Sequence, residues 1–267
     1  MAAHSTTVSD TKMEKLMEML NLPNRRLKVI QVSGSEGVAA VSTVLRTILQ
    51  HSQYGIGVYS CAPGSSLSSI TYNGNEMPAD VAEEVEQQVR SMAGTIAELG
   101  LGSLTEEEIT AAIAIVYFAR KACPYFVIWE TGDGSLWKLG DIIIPILSVI
   151  MDSGERNSDL IQTAVRSYVP VITGIKRQET IEEIDKRTAE LKSSHYSGYR
   201  DFRYRSVISF SNDLLIHFEG PYRTLENVRV ASGREADRLA TAIAIMTSEL
   251  LRQRYGALIE DDWHQLR

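Results

Sequence analysis

Three sets of residues in this chain have the types and spacing to do chemistry. The first is Ser33-Gly34-Ser35-Glu36-Gly37, set between the β-branched run Leu27 to Val32 and a small-residue and aliphatic run from Val38 to Leu49. A glycine turn joining a strand to a helix is the unit that cradles phosphates in nucleotide-binding α/β domains. Such a loop closes its backbone N–H groups on the phosphates, neutralises them with a Lys and holds Mg²⁺ on a Ser or Thr hydroxyl. Gly34, Ser35 and Gly37 are therefore candidate cofactor-binding residues. Val38, Ala39 and Ala40 stand where the Lys and the hydroxyl belong, and Glu36 adds a negative charge. The second set is Glu130 alone, at the C-terminal end of the strand-like run Tyr125 to Trp129, where open α/β sheets place ligand contacts. It is a candidate catalytic acid, or a simple turn residue. The third is Tyr196, Tyr199, Phe202 and Tyr204 interleaved with Arg200, Arg203 and Arg205. Aromatic and basic residues together can stack on a ring-bearing ligand, but alternation on an edge strand explains the same pattern.

The remaining reactive residues are read more plainly. His51, His195, His217 and His264 lack metal-ligand spacing, and His4 lies in the polar N-terminus. Cys123 reads as a small core residue and Cys61 as a candidate thiol at a strand end, with no disulfide framework or zinc site between two cysteines so spaced. Ser65-Ser66 and Ser68-Ser69 lack the setting of a nucleophile elbow.

These residues need a scaffold, and 267 residues with 44% apolar and 23% charged side chains suffice for a sizeable core. A net charge of −7, with no basic cluster longer than Arg25-Arg26, argues against nucleic acid or an acidic membrane as partner. The longest apolar stretch, Ile142 to Met151, contains Pro145 and is too short to span a bilayer. The N-terminus lacks the apolar core of a signal peptide, so the cytoplasm is the expected location. Met1 to Asp10 is expected to lack structure, and Met13, Leu16, Met17 and Leu20 predict a short helix ending before Pro23. Strands are predicted over 27–32, 55–61, 70–72, 125–129, 144–150 and 169–174. Helices are predicted from Val38 to Leu49, from Pro78 to Leu99, from the capping box Thr105 to Glu108 through Lys121, and over 179–192. Beyond Tyr199 three alternating runs form a meander with one wet face, followed by a long helix from Glu235 to Arg254. The expected fold is α/β: a doubly wound, mostly parallel sheet with a phosphate-loop-like first βα unit, plus a small antiparallel meander. Residues 1–26 are read as a tail and short helix, and 27–267 as a single domain.

The order of these segments resembles folylpolyglutamate synthase, of the wider Mur ligase family, from Met13 to about Leu251. The similarity lies in Leu27 to Gly37 with Val41 to Leu49, Tyr54 to Ser60, the turn Asn73-Gly74, Thr110 to Ala119, Glu130 to Gly134, Leu147 to Ile150 with Gly154, and Val169 to Gly174. The resemblance implies the family's N-terminal ATPase domain, with the separate C-terminal domain expected to be absent. It also implies ATP and Mg²⁺ as cofactors if ligation is retained: ATP phosphorylates a carboxylate, and an amine then displaces the phosphate. On the same alignment Glu107 matches the family's metal-binding glutamate, although an acid in the first turn of a helix is also favoured by the dipole without any metal.

The departures fall on the chemistry. Val38 and Ala40 replace the loop Lys and hydroxyl, and Arg156-Asn157 replaces an Asp-His pair. The segment up to Val169 holds no Lys for a carbamate bridge. Leu136 and Lys138 stand for an Arg and an Asp, and Glu235, Ala236 and Leu239 stand for the nucleotide-contacting His, Gln and Asn. The family's Ser-Pro-His run after Tyr59 is missing, which weakens the case for folate binding. The expectation is a non-catalytic ligase-like domain that binds a protein partner, a second copy of itself or a small molecule. The alternatives are an ATP-dependent C–N ligase completed by another chain, and an unrelated enzyme on the same scaffold.

Overall fold

The structure is a computed structural model, and it describes residues 8–61, 66–132, 142–154, 157–208 and 214–265. Helix α1 (Val8–Met19) begins three residues inside the stretch expected to lack structure. Strand β1 (Val29–Ser33) is buried along its whole length and passes through the glycine turn into α2 (Val38–His51). Strand β2 (Ile56–Cys61) is followed by the short hairpin β3 (Ile70–Tyr72) and β4 (Asn75–Glu76). Both residues of its Asn73-Gly74 turn have positive φ, 51° and 85°, as the mirror-image turns that suit strand twist require. Helix α3 (Ala79–Glu98) takes Pro78 as its N-cap rather than its first residue. Helix α4 (Glu106–Tyr117) starts at the capping box read from the sequence: Glu108 N–H donates to Thr105 Oγ1 at 3.2 Å, and Thr105 N–H to Glu108 Oε2 at 2.7 Å. Its last residues continue as a π-turn over Phe118–Ala122. The chain breaks out of that turn at Cys123, with φ 48°, which leaves this thiol exposed rather than in the core.

Strand β5 (Phe126–Thr131) is followed by β6 (Leu147–Ile150). The strand expected over 144–150 is shorter, because Pro145 has no N–H to give a ladder and Ile144 is 70% exposed. Helix α5 (Asn157–Ala164), which the sequence reading missed, leads to β7 (Val171–Thr173) and α6 (Gln178–Glu190). Strand β8 (His195–Ser197) follows, then the meander β9 (Arg203–Ile208), β10 (Leu214–Glu219) and β11 (Thr224–Arg229), and finally α7 (Glu235–Tyr255). The larger sheet has eight strands in the order β4-β3-β2-β5-β1-β6-β7-β8, parallel in the pairs β2–β5, β1–β6, β6–β7 and β7–β8, with β3 and β4 antiparallel. The meander is a separate antiparallel sheet ordered β11-β10-β9. This is the α/β architecture expected from the sequence.

The chain forms two compact units, one from Met1–Val29 with Gly55–Pro145 and the other from Ile30–Tyr54 with Ile146–Arg267. In the first, Met13, Leu16, Met17 and Leu20 of α1 share a core with Val85 and Val89 of α3 and Ile109 to Val116 of α4. On β2 and β5, Tyr59 and Trp129 meet edge to face at 4.5 Å. In the second, Ile150, Leu160, Ile161, Val171 and Ile184 join β6, β7, α5 and α6. Helix α7 is buried from Ala240 to Leu251, which explains why it is apolar on most of its circumference. Among the described residues, no helix is long and apolar enough to cross a membrane.

Candidate functional site

In the strand order, β1 connects through α2 toward one side of the sheet and β6 connects through α5 toward the other. The crevice beyond the C-terminal ends of β1 and β6 is thus the switch point at which open α/β sheets bind ligands. The loop Ser33 to Gly37 lies there, opposite Met151 and Asp152. The two strand ends are joined by Met151 N–H donating to Ser33 O at 2.7 Å. Ser35 donates from both its hydroxyl and its N–H to Asp152 O, at 2.9 and 3.4 Å. The glycines make room for Met151. Gly34 has φ 140°, and a Cβ on it would fall 2.6 Å from Met151 Cβ and 2.9 Å from Met151 O. Gly37 has φ 80°, and its Cβ would fall 2.7 Å from Met151 Cε. Met151 itself is only 4% exposed. The structure therefore brings Gly34, Ser35 and Gly37 together, around a methionine side chain.

The second wall of the crevice is an Asx turn. Asp152 Oδ1 accepts from Gly154 N–H and Asn157 Nδ2, each at 2.9 Å, while Asn157 Oδ1 accepts from Ser153 N–H at 2.9 Å. The Asn157 hydrogen bond holds the Asp152 carboxyl below the usual range, and Arg177 contributes at longer reach. At the N-terminus of α2 neither the Gly37 cap nor the first turn supplies a charged side chain.

The two candidate acids belong to the other unit. Of the three glutamates that open α4, Glu106 makes a two-pronged contact with Arg90 at 3.0 and 2.7 Å, and Glu108 caps the helix and meets Lys12 Nζ at 3.4 Å. Glu107 makes no hydrogen bond or ion pair among the described residues. It does help raise the pKa of the Cys61 thiol, which is pushed up mainly by burial. Glu130 is half-buried at the end of β5, in register with Ser60, and likewise has no partner among the described residues. Of the other positions singled out from the sequence, Gly134, Leu136, Lys138 and Arg156 lie outside the described residues.

The aromatic-basic cluster is used up internally. Phe202 packs on Phe218, Arg200 pairs with Asp185 at 2.7 Å, and Arg203 and Arg205 both pair with Glu219. Tyr204 and Tyr199 donate to Glu235 Oε1 at 2.7 and 3.2 Å, joined by Lys176 at 3.3 Å, with Arg238 on Oε2 at 3.1 Å. These donors, Tyr204 foremost, hold Glu235 down to about 2, while burial and the same carboxylate raise the Tyr204 phenol.

Two further constellations have no sequence spacing that would reveal them. Thr173, His195 and Asp185 form a chain, with Thr173 Oγ1 to His195 Nε2 at 2.9 Å and His195 Nδ1 to Asp185 Oδ1 at 2.6 Å. It has the order of a hydrolytic triad, but Thr173 is 0% exposed, so no substrate reaches its hydroxyl. Burial lowers the His195 pKa despite the aspartate. His51 meets Asp262 at 2.6 Å with Glu260 beside it, a grouping of metal-type ligands made only when the C-terminal segment folds back on α2.

No protein-family model matches the chain. Dihydrofolate synthase/folylpolyglutamate synthase of Bacillus subtilis is 22% identical over 94% of this chain, which spans 61% of that relative's length. The folylpolyglutamate synthase of Thermotoga maritima superposes with a TM-score of 0.83 at 18% identity, over 95% of this chain and 60% of that one. A folylpolyglutamate synthase in complex with AMPPCP and folate superposes at 0.85 with 17% identity, over 98% of this chain and 67% of that one. Along almost all of its own length, and about three fifths of the length of its curated relative, the chain is thus similar to the folylpolyglutamate synthases and has their Mur-ligase-like fold.

Proposed function

We propose that this chain is a folylpolyglutamate-synthase-like domain that has lost ATP-dependent ligation and serves as a binding or accessory module. The observation that carries the reading is the content of the switch-point crevice, where Met151 lies against Gly34 and Gly37 and Asp152 O takes the Ser35 donors. A phosphate loop works by aiming its N–H groups at the anion and backing them with Lys and a metal hydroxyl. Here Val38 and Ala40 supply neither, and Glu36 repels a phosphate. Removing one such stabilising group typically costs a transition state about 3–4 kcal/mol. The degenerate loop is thus read as structural, with Glu107 as a dipole-favoured helix acid and Glu130 as a strand-end acid. The partner under this reading is another protein or a second copy of the chain, and a strictly monomeric sedimentation profile counts against self-association.

Calorimetric titration of the purified chain with ATP and Mg²⁺ tests the reading. No saturable heat and no thermal stabilisation at millimolar nucleotide is the expected result. Saturable binding that disappears in Glu107→Ala overturns it in favour of an ATP-dependent C–N ligase, complete or completed by another chain, with Glu107 on the metal. A folylpolyglutamate synthase with AMPPCP and folate bound makes that alternative the natural comparison, and folate belongs in the same titration series.

A further inference from the structure

Within the unit of Ile30–Tyr54 and Ile146–Arg267, the segment after α7 is laid on the end of α2 as a strap. Gly256, with φ 64°, turns the chain out of α7, and Ala257, Ile259 and Trp263 anchor the strap by burial. Two backbone clips set its position: Leu258 N–H donates to the Tyr54 hydroxyl at 2.7 Å, and Glu260 N–H donates to Ser52 Oγ at 3.0 Å. This registration carries Glu260 and Asp262 to His51, the last residue of α2. One ligand atom from each residue, an imidazole nitrogen and two carboxylate oxygens, lies within 4.8 Å of the other two, with His51 Nε2 and Asp262 Oδ1 at 2.6 Å.

The nearby arginines are committed elsewhere on the strap. Asp261, between the two acids, meets Arg223 at 2.6 Å and Arg252 at 2.8 Å, and both guanidinium groups also face Glu249. The Glu260 carboxylate makes no hydrogen bond or ion pair among the described residues. The group stands at the C-terminus of a 14-residue helix, whose last carbonyls favour positive charge. It is open to an incoming ion, since the Asp262 side chain is 65% exposed and that of His51 21%. Ligand atoms on a tetrahedral ion at about 2.0–2.2 Å lie about 3.3 Å apart. Reaching that spacing opens the His51–Asp262 contact by less than about 1 Å and draws Glu260 in by at most about 1.5 Å. An imidazole beside two carboxylates suits a borderline divalent ion, whereas Mg²⁺ and Ca²⁺ take oxygen ligands.

We propose that His51, Glu260 and Asp262 bind Zn²⁺, with water in the fourth position, and that the ion fastens the C-terminal strap to α2. Calorimetric titration of the chelator-treated full chain with ZnCl₂ and, separately, MgCl₂ tests it, together with amide hydrogen exchange. One Zn²⁺ per chain is expected to saturate at micromolar concentration, where Mg²⁺ gives no heat. Bound Zn²⁺ is expected to slow exchange of the Leu258 and Glu260 amides, which belong to the strap itself. Glu260→Gln and His51→Gln are each expected to weaken Zn²⁺ at least about tenfold, since losing even a residue that only supports a ligand costs about 10–100-fold. His217→Gln, on the meander, is expected to leave the affinity unchanged. Zn²⁺ that fails to saturate, that binds as tightly in both the Glu260→Gln and His51→Gln variants, or that leaves strap exchange unmoved overturns the proposal.

Discussion

Alanine at Gly34 and at Gly37 should have very different effects on stability, although the sequence presents the two glycines as equivalent members of one loop. At Gly34 a Cβ falls 2.6 Å from Met151 Cβ and 2.9 Å from Met151 O, atoms fixed by the β1–β6 ladder that cannot step aside. At Gly37 the only close atom is Met151 Cε, at 2.7 Å, the far end of a flexible side chain. Both positions carry a backbone strain of about 1–3 kcal/mol for a non-glycine residue at positive φ. An unrelieved overlap adds about 1–3 kcal/mol. Gly34→Ala is therefore expected to cost about 4 kcal/mol and Gly37→Ala about 1–2 kcal/mol, read as shifts of the urea midpoint at constant slope. Met151→Ala removes a buried side chain at a cost of about 2–5 kcal/mol, and it separates the two sites further. It retains the Cβ and carbonyl that Gly34 meets, so Gly34→Ala should cost nearly as much in that background, while the Gly37 penalty should shrink to backbone strain alone. Equal costs at the two glycines, or a Gly34→Ala variant within 1 kcal/mol of the parent, would refute the idea that these glycines exist to admit Met151.

Two pH experiments follow from the second unit. Glu235 is held at about 2 by Tyr204 and its neighbours, well below its ordinary 4.5, so its contribution is fully present above pH 4.5 and is lost as pH falls toward 2. Acid denaturation of Glu235→Gln should show a shallower loss of stability across that window, and an unchanged acid limb would argue that the tyrosine contacts are not made in solution. His195 is pushed below its ordinary 6.5 by burial, so the unfolded chain takes up its proton first and stability declines as pH drops below 6.5. Its imidazole shifts, followed by NMR, should titrate below 6.5, and a midpoint above 6.5 would mean that Asp185 outweighs burial.

Much of this arrangement was legible in the residues. The capping box at Thr105 and Glu108, the Asn73-Gly74 turn and the long helix from Glu235 stand where local chemistry put them, because each is decided within four residues or by a sustained apolar period. Strand β8 and helix α5 were not legible. His195-Tyr196-Ser197 is three residues with no apolar run, and it becomes a strand only by pairing with β7. Helix α5 has eight residues and opens on Asn157, whose side chain is taken up by Asp152 and Ser153. The glycines of the loop were visible, but what they accommodate was not. Met151 lies more than a hundred residues further along, and nothing at Gly34 announces it. Glu235 could be seen to replace a polar residue of the family, yet its role as the acceptor for two tyrosines and a lysine depends on β9 and the turns after β7 and β8 reaching it.

The pairing of β1 with β6 bears on how the molecule is made. Every residue of β1 is buried, and its neighbour β6, with which it pairs from Ile30 to Ser33, is not synthesised until residues 147 to 150 emerge. At about 5–20 residues per second, the intervening chain takes on the order of 10 s to appear. During that time the Val29 to Ser33 edge is apolar and unpaired on the side that β6 will take. Both units are interrupted in sequence, but the first resumes at Gly55, so that α3 and α4 pack with few residues between them, whereas the second, begun at Ile30–Tyr54, resumes only at Ile146 and closes late. The Ser33-to-Gly37 turn is thus sealed late, when Met151 and Asp152 arrive, and a chain halted before residue 150 would present a sticky strand rather than a crevice.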